Sequence, residues 1–253
     1  MKKLFIKLAK ILGYEIIDQN KFSSPTLNKE LNDNLSTFNK QSIVLPLGDV
    51  KITRKINSLL IIFRTNTNIE IWDQNKKRLF EHPKIEYVKR SLNSLIKSIQ
   101  FLKKKLPRLD LKLIILDDNS NNENLNIIRK ISQKEINVEI LSVDNKKYKD
   151  KIKEKKNTET FSNLASLLSS FEIGKSKGRD LIFFVEDDYL HFETMLEEVV
   201  NSYERISSQL NKDIFMCPSD YPYLYMNNEK TNILIGNKRH WRTINKTLCT
   251  FIT

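Results

Sequence analysis

Four short apolar runs, separated by segments with helical spacing, constrain the fold of this chain more than any other feature. The runs are SLLIIFRT (58–65), LKLIIL (111–116), VEILSV (138–143) and LIFFV (181–185). Uninterrupted apolar runs of this length are typical of strands buried on both faces. Helical patterns lie at 87–106, after residue 120, at about 158–176 and from Glu193 to about Leu210. This alternation predicts an α/β fold with a mostly parallel sheet, right-handed crossovers and helices on both faces. Two later segments, DIFMCPS (213–219) and KTLCTFIT (246–253), predict further strands.

The N-terminal segment has a different pattern. MKKLFIKLAKILGYEI places lysines on one side of a helix and apolar residues on the other, namely Leu4, Phe5, Leu8, Ile11 and Leu12. Residues 18–42 are polar and predict a loose connector. We therefore predict an N-terminal helix and connector over 1–42 and one α/β domain over 43–253. The helix suits two roles, lying in a membrane interface through residues 1–16 or packing on its own domain.

Composition limits the class of protein. The 253 residues suffice for one substantial core, and two cysteines do not form a disulfide framework, which favours a reducing compartment. No stretch approaches the roughly 20 apolar residues that span a bilayer. The net charge of +12 suits nucleic acid, an acidic membrane surface or an anionic diphosphate substrate. Because no nucleic-acid-binding motif is present, we expect no nucleic-acid partner, and the bias toward Asn and Ile also raises the Lys count without any function.

Polar and charged residues stand where three of the predicted strands end. The first strand ends in Arg64-Thr65-Asn66, the second in Asp117-Asp118-Asn119-Ser120 and the fourth in Glu186-Asp187-Asp188. In open α/β sheets, ligands bind beyond the carboxyl ends of the strands. We therefore expect the acids of two strand ends to converge on one site.

The triplet Glu186-Asp187-Asp188 predicts a metal site. Adjacent carboxylates at a strand end repel each other, and a divalent cation removes the conflict. Oxygen ligands suit Mg²⁺ or Mn²⁺, and an open magnesium site implies a phosphorylated ligand. The alternative is that Asp187 or Asp188 caps the helix that follows.

Asp117 and Asp118 have two interpretations as well. The sequence DDNS is good turn chemistry and can cap the next helix. Alternatively, one carboxylate accepts hydrogen bonds from a base or a ribose. No glycine-rich fingerprint follows a strand, which disfavours both a Rossmann dehydrogenase and a P-loop NTPase.

The order of LLIIFRT, LIILDDNSNNENLNIIRKI and GKSKGRDLIFFVEDDYL resembles the GT-A glycosyltransferases, in particular glycosyltransferase family 2. The resemblance spans roughly residues 56 to 253 and implies a GT-A-like, Rossmann-like fold. It implies nucleotide contacts at Arg64, Thr65, Asp117 or Asp118, and a DxD-like metal motif in which Asp188 acts with Glu186 or Asp187. Glu186 and Asp188 are the predicted metal ligands for Mn²⁺ or Mg²⁺, with Asp187 assigned to the nucleotide-sugar.

The resemblance also implies the reaction, which is sugar transfer from a nucleotide-diphosphate sugar to an acceptor hydroxyl. The expected donor is a UDP-sugar, and the expected acceptor is a saccharide or a lipid-linked molecule in surface polysaccharide or glycolipid synthesis. The implied location is the cytoplasm, at the inner face of the cell membrane. The stereochemistry, inverting or retaining, stays open.

The C-terminal part supplies the remaining candidates. GNKRHWRTINKT (236–247) places His240 and Arg242 among basic residues suited to a diphosphate, with a basic β-hairpin as the alternative. An inverting enzyme needs a general base, and Asp220 is the best acid remaining. The family's base usually follows later in the chain, so a truncated or inactive sugar-nucleotide binder is the first alternative function. A basic nucleic-acid-binding module, favoured only by the net charge, is the second.

Overall fold

The computed structural model describes residues 2–14, 16, 42–44, 50–68, 82–133, 137–153, 158–219, 232–244 and 250–253. The chain forms two compact units, and each is described by itself. The larger unit comprises residues 56–200, 215–217 and 248–253, and the smaller comprises 1–55, 201–214 and 218–247. The division differs from the predicted boundary after residue 42, because residues from the last third of the chain group with the N-terminal segment.

The larger unit contains a five-stranded sheet whose strands follow the predicted apolar runs. In chain order they are β2 (Ser58–Thr65), β3 (Asp110–Asp117), β4 (Val138–Ser142), β5 (Leu181–Glu186) and β8 (Phe251–Ile252). Their order across the sheet is β4-β3-β2-β5-β8. The first four are parallel, and only β8 runs antiparallel, beside β5. The predicted α/β class with a mostly parallel sheet and flanking helices is confirmed.

Helices cover this sheet because both of its faces are apolar. All eight residues of β2 are buried. On one face, Leu60, Ile62, Ile114, Leu116 and Phe184 pack with Ile173 of α4 (Thr158–Lys177). The alternate residues of the same strands, such as Ile61 and Phe183, are equally buried on the other face. Helix α2 (Lys84–Lys105) carries a stripe of fully buried residues, and its neighbour is α3 (Asn122–Ser132).

The smaller unit has a three-stranded sheet of order β1-β6-β7. Strand β1 (Ser42–Val44) pairs in parallel with β6 (Asn232–Ile235), which forms a hairpin with β7 (His240–Arg242). Ile206 and Leu210, from the end of α5 (Met195–Leu210), pack there with Leu234, and half-buried Trp241 lies against them. The described part of residues 236–247 therefore belongs to a β-hairpin, as one interpretation of the sequence predicts.

The smaller unit also contains α1 (Lys2–Ile11), an amphipathic helix at the predicted place. Gly13 follows it with a positive φ of 84°, a conformation that ends helices at glycine. Among the described helices of the chain, none is both long enough and apolar enough to cross a membrane.

Candidate functional site at the carboxyl edge of the parallel sheet

The direction in which strands are added to the sheet reverses between β2 and β5. From β2 the chain proceeds to β3 and β4 on one side, and then β5 pairs with β2 on the other side. A reversal of this kind is the topological switch point at which open α/β sheets bind ligands. Arg64 is level with Glu186 across this boundary, and Thr65 is level with Asp117 on the other side of β2. The predicted strand-end residues of β2, β3 and β5 therefore share one edge.

Asp187 is held from three directions at the switch point. Its Oδ2 accepts hydrogen bonds from the Thr65 hydroxyl (2.8 Å) and from the backbone N–H of Asn66 (3.3 Å). Its Oδ1 forms an ion pair with Lys84 Nζ at 2.5 Å, from the first turn of α2. Asp187 is only 6% exposed. Both of its oxygens are thus engaged by the protein, and the lysine neutralises its charge.

Glu186 is neutralised in a similar way by a buried arginine. Arg64 Nη2 lies 2.8 Å from Glu186 Oε1, and Arg64 Nη1 donates to Asn163 of α4 at 3.2 Å. The arginine side chain is 5% exposed and the glutamate side chain 27%. Burial raises the pKa of Glu186, and the Arg64 guanidinium opposes that rise.

Asp118 is surrounded by neutral donors. Asn145, from a 3₁₀ helix at Asn145–Tyr148, donates its side-chain amide to Asp118 Oδ1 at 2.8 Å. The hydroxyl of Ser162 and the amide of Asn66 (3.5 Å) both donate to Asp118 Oδ2. Asn66 therefore contacts Asp118 through its side chain and Asp187 through its backbone, and so joins the two acidic strand ends in one site.

Asp117 is buried and incompletely satisfied. It is 2% exposed, and its Oδ2 accepts the backbone N–H of Ser120 at 3.1 Å. Its Oδ1 has no hydrogen-bond partner among the described residues. Burial raises the pKa of this carboxyl, and Ser120 lowers it. Asp117 thus stabilises the turn after β3 through Oδ2, as one interpretation of the sequence predicts. Its Oδ1 stays without a described partner.

Neither acidic strand end caps a helix. The α3 N-cap is Asn121, whose side chain accepts the backbone N–H of Asn124 at 2.8 Å. Helix α5 begins at Met195, seven residues after the triplet, so the capping interpretation of Asp187 and Asp188 is wrong.

Asp188 differs from its two neighbours because it forms no ion pair with any described residue. Its side chain is exposed. Its pKa is nevertheless raised, first by the desolvation that comes from the surrounding protein and second by the charge of Asp187. Of the three triplet acids, Asp188 is the one that the described protein does not neutralise.

The described residues include no group of three or more His, Cys, Asp or Glu side chains placed to hold a metal ion. The two predicted metal ligands also differ, because Glu186 forms an ion pair with Arg64 whereas Asp188 forms no ion pair with a described residue. A metal ion at this edge would depend on Asp188, with water and the phosphates of a ligand completing its coordination.

Three further predicted residues are His240, Arg242 and Asp220. His240 and Arg242 belong to β7 of the smaller unit. Asp220 lies outside the described residues. Their assignment to the diphosphate and to base catalysis stays a prediction.

Sequence reasoning missed three residues of the site, namely Lys84, Asn145 and Ser162. It placed Asn66 at the end of the first predicted strand but gave it no role. Lys84 had no usable signal, because it precedes the apolar stripe of α2 and reaches Asp187 from 103 positions away.

Comparison with known proteins adds little to this geometry. No protein-family model matches the sequence, and no curated protein matches it. Among solved structures, similarity is found to glucosyl-3-phosphoglycerate synthase from Mycobacterium tuberculosis in complex with uridine diphosphate. The sequence identity is 13% and the TM-score 0.32, over 64% of this chain and 47% of that one. Similarity this low establishes neither family nor activity.

Proposed function

We propose that this chain is a metal-dependent glycosyltransferase, which moves a sugar from a nucleotide-diphosphate sugar to an acceptor hydroxyl. The observation that carries the proposal is the joining of Asp118 and Asp187 through Asn66 at the switch point of the sheet. A ligand at this edge meets buried acceptors on the β3 side and acidic and basic groups on the β5 side. That division suits a nucleoside on one side and a diphosphate with its cation on the other.

The β3 side offers acceptors for the N–H and O–H groups of a nucleoside. Asp117 Oδ1 and Asn145 Oδ1 are buried and have no partner among the described residues. A buried acceptor without a partner costs free energy, on the order of 1–3 kcal/mol, so a donor supplied by a ligand is favoured there. Ribose hydroxyls and the imino N–H of uracil are donors of this type, which supports a uridine nucleotide as the carrier.

The β5 side offers one carboxylate for a divalent cation. The carboxylate oxygens of Asp188 suit Mn²⁺ or Mg²⁺, and a cation beside them would offset the free-energy cost of the desolvated negative charge. When bound, such an ion would stabilise the negative charge that develops on the departing diphosphate. Arg64 and Lys84 keep Glu186 and Asp187 in place by ion pairing, so these two acids orient the strand end and the loop that carries Asp188.

A binding experiment tests this proposal. Titration calorimetry with UDP is run on the wild type in the presence and absence of Mn²⁺. We expect Mn²⁺ to strengthen UDP binding by at least tenfold, and Asp188→Ala to remove that increase. Asp150→Ala is the matched control, because Asp150 is also an exposed acid of the larger unit. Equal UDP affinity with and without Mn²⁺, or equal effects of both variants, would contradict the proposal.

A second candidate function is a sugar-nucleotide binder without transferase activity. It is favoured by the ion pairs at Glu186 and Asp187, which leave a single triplet acid for a metal. The two candidates differ in turnover. Release of UDP from a panel of UDP-sugars, with saccharide acceptors and Mn²⁺, supports the transferase if Asp188→Ala lowers it. Tight UDP binding without any turnover supports the binder.

A further inference from the structure

Helix α1 exposes apolar side chains that a folded protein normally covers. The exposed fractions are 72% for Leu4, 67% for Phe5, 55% for Leu8, 76% for Ile11 and 66% for Leu12. Four of these residues lie in α1 and form its apolar face, at spacings of three and four residues that bring side chains to one side of a helix, and Leu12 directly follows the helix. Contiguous exposed apolar residues of this kind mark an interaction site.

The charge of the same segment indicates the chemistry of the partner. Residues 1–14 contain four lysines and no acid, and the first acid of the chain is Glu15. Lys7 is exposed on α1, and no acidic residue lies in the first turn of the helix. The segment carries only basic charge beside its apolar face, and this combination complements an anionic surface.

The length of the helix decides how it meets such a partner. Ten residues at about 1.5 Å each span about 15 Å, half of the roughly 30 Å hydrocarbon core of a bilayer. Gly13 then ends the helix with a left-handed residue. The segment is therefore too short to cross a bilayer and has the length and amphipathicity of helices that lie in its interface.

We propose that the apolar face of α1 docks into the interface of a lipid bilayer that carries anionic headgroups, with the lysines placed at headgroup level. A second copy of the chain is a poorer occupant, because pairing two apolar faces brings two sets of lysines together without any acid to neutralise them. The proposal concerns the smaller unit alone, so it stands or falls independently of the transferase activity.

Vesicle co-sedimentation of the full chain tests this docking. Vesicles of phosphatidylcholine alone are compared with vesicles containing about one-third phosphatidylglycerol. We expect the wild type to pellet with the anionic vesicles and to stay in solution with the neutral ones. Binding weakens as salt rises, because screening acts on the lysine contribution.

Two variants separate the apolar and the basic contributions. Leu8→Glu removes a central apolar contact, and we expect it to weaken binding at least about tenfold. Lys7→Glu reverses one charge, and we expect a loss of at least about fivefold, since each basic residue near an anionic surface contributes about that factor. Ile52→Glu and Lys97→Glu make the same changes at exposed positions outside α1, and we expect them to bind like the wild type.

The proposal fails if the wild type binds neutral and anionic vesicles equally, or if the α1 variants and their controls bind alike. Sedimentation velocity tests the alternative that a second copy of the chain covers the apolar face. If the wild type is a dimer that does not bind vesicles, and Leu8→Glu converts it to a monomer, the apolar face joins copies of the chain instead.

Discussion

Removing the ion pair between Arg64 and Glu186 tests whether Glu186 is a structural counterion or a metal ligand. Arg64 is 5% exposed on the central strand, and its guanidinium has Glu186 at 2.8 Å and the Asn163 amide oxygen at 3.2 Å as acceptors. Glu186→Ala therefore leaves a buried cation with one neutral acceptor. Breaking a fully buried pair costs about 3–5 kcal/mol. Because the glutamate side chain is 27% exposed, water can reach its vacated position, and we expect about 2–3 kcal/mol.

A double-mutant cycle isolates this interaction. Arg64→Met keeps most of the side-chain volume and removes the charge, and it leaves a carboxylate that is partly hydrated. We expect it to cost less than Glu186→Ala, and we expect a coupling energy of about 1.5–3 kcal/mol between the two changes. The free energies of unfolding come from urea titrations at pH 7 without divalent cations, followed by circular dichroism and extrapolated linearly.

The result that would refute this reasoning is specific. If Glu186→Ala leaves the free energy of unfolding unchanged and the coupling energy is below about 0.5 kcal/mol, Arg64 does not depend on this carboxylate. If the same variant also abolishes the effect of Mn²⁺ on UDP binding, Glu186 is a metal ligand and not the counterion of Arg64. Glu186→Gln is the matched control, because its amide oxygen still accepts a hydrogen bond from Arg64 and about half of the stability loss should return.

Three further predictions concern single positions. The pKa of Asp188 is raised, so the folded state keeps this carboxyl protonated to higher pH than the unfolded state does. The protonated carboxyl stabilises the folded state below about pH 4, and this stabilisation is lost as the pH rises through the folded pKa. Asp188→Asn should therefore raise the melting temperature more at pH 7 than at pH 4 without divalent cations, and an equal change at both pH values would contradict this. Asp180 accepts two backbone N–H groups at the start of β2, at 2.8 and 3.0 Å, so Asp180→Ala should cost about 1–3 kcal/mol in urea unfolding, and a loss below about 0.5 kcal/mol would contradict the contact. A Cβ on Gly178 would lie 2.6 Å from the Gly174 carbonyl oxygen and closer still to Ile182, so Gly178→Ala should destabilise the larger unit by about 1–3 kcal/mol, whereas a neutral result would show that the turn can shift.

The central sheet could be predicted from the sequence because its strands carry their own signal. The run 58–65 matches β2 residue for residue, and 111–116 lies within β3 with one residue added at each end. Such strands are buried on both faces, so every position must be apolar and the run is easy to find. The end of each run also located the sheet edge where Asp118 and Asp187 lie.

The smaller unit could not be predicted in the same way. Strand β1 is three residues long and pairs with β6, whose residues lie 190 positions later than their partners, as in Ser42 with Asn232. A run of three apolar or small residues has no measurable periodicity, and its pairing depends on a partner that local sequence does not reveal. The boundary between the units also falls inside α5, after Val200, where an uninterrupted helical pattern conceals it.

The ion pairs that neutralise acids of the site could not be predicted from the sequence either, and they change which acids are assigned a functional role. By sequence alone, Glu186, Asp187 and Asp188 are equivalent neighbours. In the structure, Arg64 and Lys84 neutralise the first two, and each of these cations comes from a different part of the chain. The pKa is raised at Glu186, Asp188 and Asp117 alike, but Asp188 forms no ion pair with a described residue, and Asp117 keeps a buried oxygen without a described partner. Keeping Asp188 and Asp117 uncompensated costs free energy. A ligand that brings a cation to Asp188 and a hydrogen-bond donor to Asp117 recovers that free energy. The acids that the protein leaves uncompensated, rather than all the acids of the cluster, are therefore the ones expected to contact the substrate.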